Sequence, residues 1–472
     1  MSRSAATEAT PGRIRLHYSA EFALAAEEPS YPKTDNSQLQ LRGPMDAAAF
    51  TAAYHAVVPD FPITQSVIEE QQHGLNHRLY WVLQPDRMGA PPNPLQWVDL
   101  RDRAGEGYDP VQLIQDFHQE RTARVRDLGR EFPILFYMLR LQDEVHVLSM
   151  VYHHIAVDAA SGYELLKRIL ADYHRRVTGE VPAWGESASI ASQAANRAEA
   201  KAPPFAGYLK EQLSAYYLKS QRDISQVTST LRPGLLGRHC FRAVFEPDGA
   251  FGAMKRLAKR HGASLSDVLL ASISRSIGAW DRERGASARS QRCLLVVNSR
   301  GRIPETSGES IALTGLALEV TAPDVRGLGA VVEHFRDVRT AQWDAGVDVA
   351  NFKLLDTIAR STRVMPRQAR YFVARRAVQV PVTFLLSNIG IMWPEVKDGR
   401  MTGRSELTEA GGLALDDVHS SPSMAKEIGL GVIARTLGGR LFINYSADRW
   451  RFPSQQAREL TDRISADLEA IK

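Results

Sequence analysis

The stretch VYHHIAVDAAS, residues 151–161, brings together three side chains that can do chemistry: His153, His154 and Asp158. An imidazole titrates near neutral pH, so either histidine can exchange a proton with a substrate, bind a metal ion or close a strand as a polar core residue. Asp158 can bind His154, cap a following helix or pair with an arginine. The residues alone leave acid–base catalysis and a structural role both open.

Two other interpretations of the motif are weaker. A zinc site needs further ligands at a recognisable spacing, and no third His, Cys or Glu accompanies the two adjacent histidines in this way. A serine hydrolase needs a nucleophile elbow, and the sequence contains no G-x-S-x-G motif. We therefore expect neither a metal nor a nucleophilic serine at this site.

Hydrophobic periodicity predicts the elements that carry the histidines. Two apolar runs separated by residues 141–144 have the form of an antiparallel hairpin, whose second strand, 146–154, leads into the motif. In such a strand Tyr152 and His154 share one face and His153 lies on the other. Regular strand geometry therefore allows only one of the two histidines to reach a given pocket.

Helices are predicted on both sides of this hairpin. Ser161 and Glu164 form a capping-box pattern that predicts a helix ending at Gly179, so the motif occupies a short connection from strand to helix. Earlier in the chain, a helix is expected to begin at Asp46 and to end before Pro59.

The composition of successive segments predicts two lobes. We expect residues 1–13 to be disordered, residues 14–180 to form an N-terminal lobe, residues 181–235 to connect the lobes and residues 236–472 to form a C-terminal lobe. Within the last segment, His261 and Gly262 are expected to divide two helices, and a later hairpin is expected to turn at Gly438 and Gly439.

Bulk composition narrows the class of protein. The net charge of +4 comes from intermixed basic and acidic residues, so nucleic acid is not an expected partner. Cys240 and Cys293 form no CxxC pair, and they predict two reduced thiols. The N-terminus has no secretory h-region and no stretch is apolar enough for a membrane helix. We expect a monomeric cytoplasmic protein without a membrane partner.

The motif and its flanking segments resemble a known superfamily. HHIAVDAASGYELLKRILADY is similar to the HHxxxD(G) motif of condensation-domain acyltransferases, which include nonribosomal peptide synthetase condensation domains, polyketide-associated acyltransferases and chloramphenicol acetyltransferase. FPILFYMLRLQDEVHVLSMVYHH, LAKRHGASLSDVLLASISRSI and LLVVNSRGRIPETSGESIALTGLALEV resemble further segments of the superfamily in the same order. The resemblance extends from about residue 14 to the end of the chain.

This resemblance implies an α/β (α+β) fold with two chloramphenicol acetyltransferase-like lobes in a V-shaped pseudo-dimer, and mixed sheets flanked by helices. It also implies a tunnel open at both faces. His154 matches the family's catalytic position, with His153 in support. Asp158 matches a structural aspartate that pairs with an arginine of the second lobe, for which Arg302 is our first choice and Arg300 our second.

The implied activity is acyl transfer from the phosphopantetheine thioester of an acyl or peptidyl carrier protein to a small-molecule acceptor, with no cofactor bound by the chain itself. His154 would act as general base. Ser387 and Asn388, in the family-like segment LLSNIG, either donate hydrogen bonds in the pocket or only form the turn before Gly390. LLSNIG resembles the alcohol-accepting branch, which favours an ester over an amide.

Departures from the family pattern limit what is carried over. Ala159 stands where the family usually has glycine, and the DFGWG motif of the plant-type, coenzyme A-dependent branch is absent. With no adenylation or carrier domain attached, the chain is expected to be a free-standing enzyme. Transfer from acyl-coenzyme A is the alternative activity, and a catalytically silent module that binds carrier proteins is the alternative without catalysis.

One further segment suggests a contact with a partner. RVMPRQARYFVARR concentrates arginines in a span that is predicted to be helical. Such a run is most often a solvated helix face. Arg370 and Arg375 are nevertheless candidates for contact with the acidic surface or phosphate of a carrier protein.

Overall fold

The computed structural model describes most of the chain. The described residues are 13–73, 76–84, 92–103, 109–185, Gly207, 224–229, 237–286, 290–299, Arg302, 313–377, 381–397 and 400–472. Residues 1–12 and most of the predicted connection, 181–235, therefore lie outside the described part. Arg13 was expected to be disordered, but it begins the first strand, so that boundary was one residue too long.

A mixed six-stranded sheet organises the first half of the molecule. Its strands in spatial order are β14 (Glu409–Ala410), β15 (Leu413–Ser421), β2 (Thr34–Arg42), β7 (Val145–His153), β6 (Ile134–Gln142) and β5 (Gln96–Asp99). A smaller antiparallel sheet contains β1 (Arg13–Arg15), β4 (Asn76–Leu83) and β3 (Ser66–His73). The predicted hairpin is confirmed as β6 and β7.

A second mixed six-stranded sheet organises the other half. Its order is β10 (Leu313–Thr321), β9 (Ser290–Asn298), β11 (Phe384–Ile391), β16 (Leu430–Leu437), β17 (Arg440–Asp448) and β8 (Arg238–Phe245). A separate ribbon pairs β12 (Pro394–Lys397) with β13 (Arg400–Ser405). The predicted hairpin turn is confirmed, because Gly438 and Gly439 both have positive φ between β16 and β17.

Helices cover these sheets. They are α1 (Tyr18–Ala25), α2 (Ala47–Val57), α3 (Pro110–Thr122), α4 (Ala159–Thr178), α5 (Ala250–Arg260), α6 (Leu265–Glu283), α7 (Leu328–Asp344), α8 (Val347–Thr362), α9 (Arg367–Ala377) and α10 (Ser454–Glu469). Asp46 caps α2 and His261 ends α5, as the sequence predicted. The two mixed sheets flanked by helices confirm the predicted fold class.

Two apolar cores enclose the strand that leads to the histidines. Leu148 and Met150 of β7 join one core with α2 and α4, while Val147 and Val151 join another with Ile114 of α3. All nine residues of β7 are buried. Burial on both faces therefore makes β7 a rigid support for the residues that follow it.

Strand β15 corrects the predicted division into lobes. It follows β11 in the chain, yet it pairs with β2 in the first sheet. The segment 409–421 was assigned to the C-terminal lobe, and it belongs instead to the sheet of the N-terminal half. A local pattern cannot reveal such a crossing, because an apolar strand suits either sheet.

Candidate active site

His154 lies one residue beyond β7, in the turn that leads to α4. Its backbone N–H donates to the carbonyl oxygen of Lys33 over 2.7 Å. Its Nδ1 atom lies 2.9 Å from Oδ2 of Asp35. The His154 side chain is 40% exposed, whereas that of Asp35 is only 7% exposed. The imidazole therefore contacts a buried carboxylate through one nitrogen and keeps part of its ring accessible.

The pairing of β2 with β7 positions Asp35, a residue that the sequence analysis missed. Asp35 lies opposite Tyr152 in the ladder, and cross-strand partners share a face. His154 follows Tyr152 by two positions, within reach of the Asp35 carboxylate. A signal for Asp35 existed, because it has the same strand parity as the buried Leu39 and Leu41. A carboxylate at a core-facing position indicates a special role.

The charges around this pair favour an ionised Asp35. Burial by itself raises the pKa of Asp35, but the facing His154 and the guanidinium of Arg238 lower it below its ordinary value. The backbone N–H of Ser423 also donates to Oδ1 of Asp35. For His154, burial and the charge on Lys33 lower the pKa, whereas Asp35 raises it by more, so the pKa lies above that of a free imidazole.

His153 points away from this site, as strand parity predicted. Its side chain is fully buried and its Nε2 atom lies 3.2 Å from Oε2 of Glu27. Its Nδ1 accepts a hydrogen bond from the backbone N–H of Ile155 over 3.3 Å. The other carboxylate oxygen of Glu27 accepts from the Lys33 N–H over 2.6 Å. Both ring nitrogens of His153 are thus used in holding the turn.

Asp158 caps α4, which is one of the roles that the sequence left open. It is fully buried, and its Oδ1 accepts the backbone N–H of Ser161 over 3.0 Å. The predicted capping box at Ser161 was wrong, because the helix already begins at Ala159. Ala159 is the first helical residue, a position that needs no glycine. The departure from the family pattern there therefore costs no backbone strain.

Arg302, our first choice of partner for Asp158, pairs with a different aspartate. Its Nε and Nη2 atoms bind the buried carboxylate of Asp348 over 3.0 and 3.1 Å. Its guanidinium also lies 3.8 Å from the ring centroid of Trp343. The fold brings α7 and α8 next to Arg302, which the sequence separation concealed. The second choice, Arg300, lies outside the described residues.

Ser387 and Asn388 lie on β11, and Asn388 has local partners. Its Oδ1 accepts the backbone N–H of Gly390 over 3.0 Å, and its Nδ2 donates to Ser266 Oγ over 2.9 Å. Within the described part of the chain, no hydrogen bond joins Ser387 or Asn388 to His154. Asn388 thus forms the turn before Gly390, and hydrogen-bond donation by Ser387 and Asn388 in the pocket stays a prediction.

A buried polar network lies beside β7 and joins the two halves. The Tyr152 hydroxyl is 3.3 Å from Ser37 Oγ, which is 3.1 Å from Ser420 Oγ on β15. Ser420 also contacts the Tyr163 hydroxyl of α4 at 3.0 Å. Arg435 of β16, fully buried, donates to Ser420 over 2.6 Å and to Tyr163. Polar groups from both halves are thereby fixed next to β7.

The predicted arginine-rich helix is confirmed as α9, but it does not form a plain solvated face. Arg370 binds Glu70 of β3 over 3.0 Å, and its side chain is 13% exposed. Arg375 donates two hydrogen bonds, of 3.2 and 2.8 Å, to the carbonyl oxygen of Glu27. Just before α9, Arg363 pairs with Glu21 of α1 over 2.9 Å. These arginines therefore tie α9 to the first half.

A cavity of about 470 Å³ lies along this junction. It is lined by Arg126, Arg367 and Arg375 among other residues, together with Glu27 and apolar side chains such as Phe22. Arg126, Arg367 and Arg375 donate hydrogen bonds to the Phe132 carbonyl, the Tyr371 hydroxyl and the Glu27 carbonyl, respectively, and these acceptors are uncharged.

The described residues were also compared with the requirements of a metal site and of a membrane-spanning helix. Those residues contain no group of three or more His, Cys, Asp or Glu side chains arranged to hold a metal ion. Among the same residues, no helix has both the length and the apolar character that crossing a membrane requires.

Comparisons of sequence relate part of the chain to nonribosomal peptide synthetases. No protein-family model matches the chain. A stretch of 153 residues is 28% identical to the probable non-canonical nonribosomal peptide synthetase CymA of Salinispora arenicola, and 98 residues are 35% identical to the isonitrile lipopeptide synthase of Mycobacterium tuberculosis. These matches cover 32% and 19% of this chain, but only 2% and 4% of those two relatives.

Comparisons of structure extend over nearly the whole chain. The first condensation domain of the calcium-dependent antibiotic synthetase is 16% identical with a TM-score of 0.64, covering 97% of both chains. The TRI3 trichothecene 15-O-acetyltransferase from Fusarium sporotrichioides is 11% identical with a TM-score of 0.69, covering 98% of this chain and 95% of its own. SgcC5 from Streptomyces globisporus is 15% identical with a TM-score of 0.59, covering 97% and 98%. The chain therefore has the fold of condensation domains and related acyltransferases.

Proposed function

We propose that this chain transfers an acyl group from a thioester to a hydroxyl or amine of a small acceptor, with His154 as the general base. The observation that carries the proposal is the accessible His154 imidazole, which is bound through Nδ1 to the buried Asp35 carboxylate. This hydrogen bond leaves Nε2 as the basic nitrogen of the neutral ring. A base with a pKa near the working pH suits this reaction.

The reaction needs no covalent acyl-enzyme. The acceptor oxygen or nitrogen attacks the thioester carbonyl while His154 Nε2 takes its proton. The new C–O or C–N bond forms, the C–S bond then breaks, and the proton on Nε2 passes to the departing sulfur. Proton transfer of this kind contributes about 10²- to 10⁴-fold, so positioning of both substrates must supply further rate enhancement.

An ester is the favoured product. SgcC5 was solved with a naphthyl-substituted 1,2-ethanediol, which is an alcohol, and TRI3 is described as an O-acetyltransferase. Both are structural neighbours of this chain. An alcohol acceptor therefore agrees with the slight preference that the LLSNIG segment gave.

A carrier protein is the favoured donor, and α9 is the proposed contact. Arg375 donates to the uncharged carbonyl oxygen of Glu27, and Phe372 on the same helix is 69% exposed. An acidic carrier surface with an apolar patch would complement both side chains. Arg370 is a poorer candidate than the sequence suggested, because it is mostly buried against Glu70. Acyl-coenzyme A remains the alternative donor, since a starter condensation domain of rhizomide synthetase was solved with C8-CoA.

The test compares donors and removes the base. Carrier-bound and coenzyme A thioesters of the same acyl group are mixed with the purified chain and with alcohol or amine acceptors, and loss of the acyl group is followed by intact-protein mass spectrometry. We expect turnover from the carrier and at least a 100-fold loss in His154→Ala. The same substitution at His55, on α2, serves as the control.

Near-normal turnover by His154→Ala would overturn the general-base role. Carrier binding without turnover of either donor would favour the silent binding module instead. Faster transfer from coenzyme A than from the carrier would reject the carrier as the preferred donor.

A further inference from the structure

We propose that Asp35 is the positioning residue for His154: its carboxylate accepts the Nδ1–H and so holds Nε2 unprotonated and aimed away from the protein interior. The inference rests on the proposed acyl transfer and deepens it. It assigns to Asp35, on a strand more than 100 positions earlier in the chain, the contact with His154 that the sequence left open for Asp158.

Geometry supports the assignment in two ways. The 2.9 Å distance from His154 Nδ1 to Asp35 Oδ2 is that of a charge-assisted hydrogen bond. The other carboxylate oxygen is held by the Ser423 N–H, so the carboxyl group cannot rotate freely. An imidazole whose Nδ1–H is bound in this way has a single neutral tautomer, and its ring orientation is fixed.

Asp158 is not placed to do this work. Its Oδ1 accepts the Ser161 N–H and so caps α4, at the end of the turn that follows His154. It still contributes negative charge toward His154. Direct contact with the ring, by contrast, is made by Asp35.

The charged and titratable groups that face this pair come from several elements. Lys33, before β2, opposes protonation of His154, whereas Asp35 and Asp158 favour it. On the other side, Arg238 of β8 donates to the Thr34 carbonyl over 2.7 Å and lowers the pKa of Asp35. Tyr152 lies opposite Asp35 across the ladder. The balance raises the pKa of His154.

The pH dependence of kcat/KM is set by the protonation of His154. A base must be deprotonated to act, so kcat/KM should fall as the pH drops through the pKa of His154. Because Asp35 raises that pKa, its neutralisation should move this acidic limb to lower pH. It should also reduce the rate at the optimum, because an amide at position 35 can stabilise the wrong tautomer.

The experiment measures the pH profile of kcat/KM for Asp35→Asn. We expect a loss of about 100-fold or more at the optimum, with little change in KM, and an acidic limb displaced to lower pH. Asp281→Asn is the matched control, since it neutralises a buried carboxylate in the other half of the molecule, where Asp281 binds Ser225 and the Thr228 N–H. That variant should leave the position of the limb unchanged.

A second measurement depends neither on activity nor on the folding of an Asp35 variant. In the wild-type chain with ¹⁵N-labelled histidine, neutral His154 should show the Nδ1–H tautomer, with its signals assigned by their loss in His154→Ala. An Nε2–H tautomer would overturn the inference, as would an Asp35→Asn variant with wild-type rate and limb. These failures differ from failure of the proposed function, in which His154→Ala itself would retain activity.

Discussion

Asp158 closes the first turn of α4 from a fully buried position. An N-cap carboxylate satisfies an otherwise unpaired helical N–H and interacts favourably with the helix dipole. Ser161, whose N–H it accepts, is also buried, so water cannot replace the lost bond. At the residue scale, this aspartate therefore stabilises the turn that presents His154.

We predict that Asp158→Ala lowers the free energy of unfolding by about 1–3 kcal/mol, because the lost cap leaves the buried Ser161 N–H without an acceptor. The control is Asp46→Ala, which removes an exposed cap of α2 and should cost about 1 kcal/mol. Urea denaturation followed by circular dichroism measures both. If Asp158→Ala proves as stable as the control yet inactive, Asp158 takes part in the chemistry.

At the element scale, the first turn of α4 packs closely on β7. A Cβ atom at Gly162 would lie 2.5 Å from the Cε atom of Met150, which is fully buried. The close approach brings the helix start against the strand that ends beside His154. Glycine at this position thus serves packing, since its backbone is helical and has no positive φ.

We predict that Gly162→Ala destabilises the chain by up to about 2 kcal/mol, because overpacking against the buried Met150 side chain outweighs the roughly 1 kcal/mol of helix propensity that alanine adds. Met150→Val shortens the opposing side chain, so the double variant should be more stable than the sum of the single effects implies. Thermal denaturation of the wild-type chain, the two single variants and the double variant measures the coupling between the two positions. Strict additivity would show that Met150 is not the group that opposes the new methyl.

At the scale of the whole molecule, the two halves are joined on more than one side. Strand β15 adds to the first sheet, and the network around Arg435 links it to β16 and α4. On another side, α9 reaches the first half through Arg375 and the Glu27 carbonyl. Glu27 in turn holds His153, so the proposed carrier surface is connected to the turn that carries His154.

We predict that Arg375→Glu raises the KM for a carrier-bound thioester about tenfold at low salt, because it reverses a charge on the proposed docking surface. The kcat for a small thioester without a carrier should change little. Arg260→Glu, on the exposed end of α5, is the matched charge reversal. Equal KM values for Arg375→Glu and this control would contradict docking at α9, and added salt should shrink any difference.

Local features of this protein could be predicted from its sequence. Hydrophobic period and cap residues predicted the β6–β7 hairpin, the extent of α2 and the division at His261, because these depend on neighbours along the chain. Strand parity predicted that the side chains of His153 and His154 point in different directions. They do, although the strand ends at His153 and His154 lies in the turn that follows. The motif with its flanking segments also indicated the fold.

Only the tertiary structure decided which distant groups meet. Asp35 reaches His154 through the β2–β7 register, Arg302 binds Asp348, and β15 enters the first sheet. Such pairings depend on strand register and on helix packing between segments far apart in sequence. A single sequence carries no local signal for them, because the same polar residue can satisfy its charge with any partner that the fold brings near.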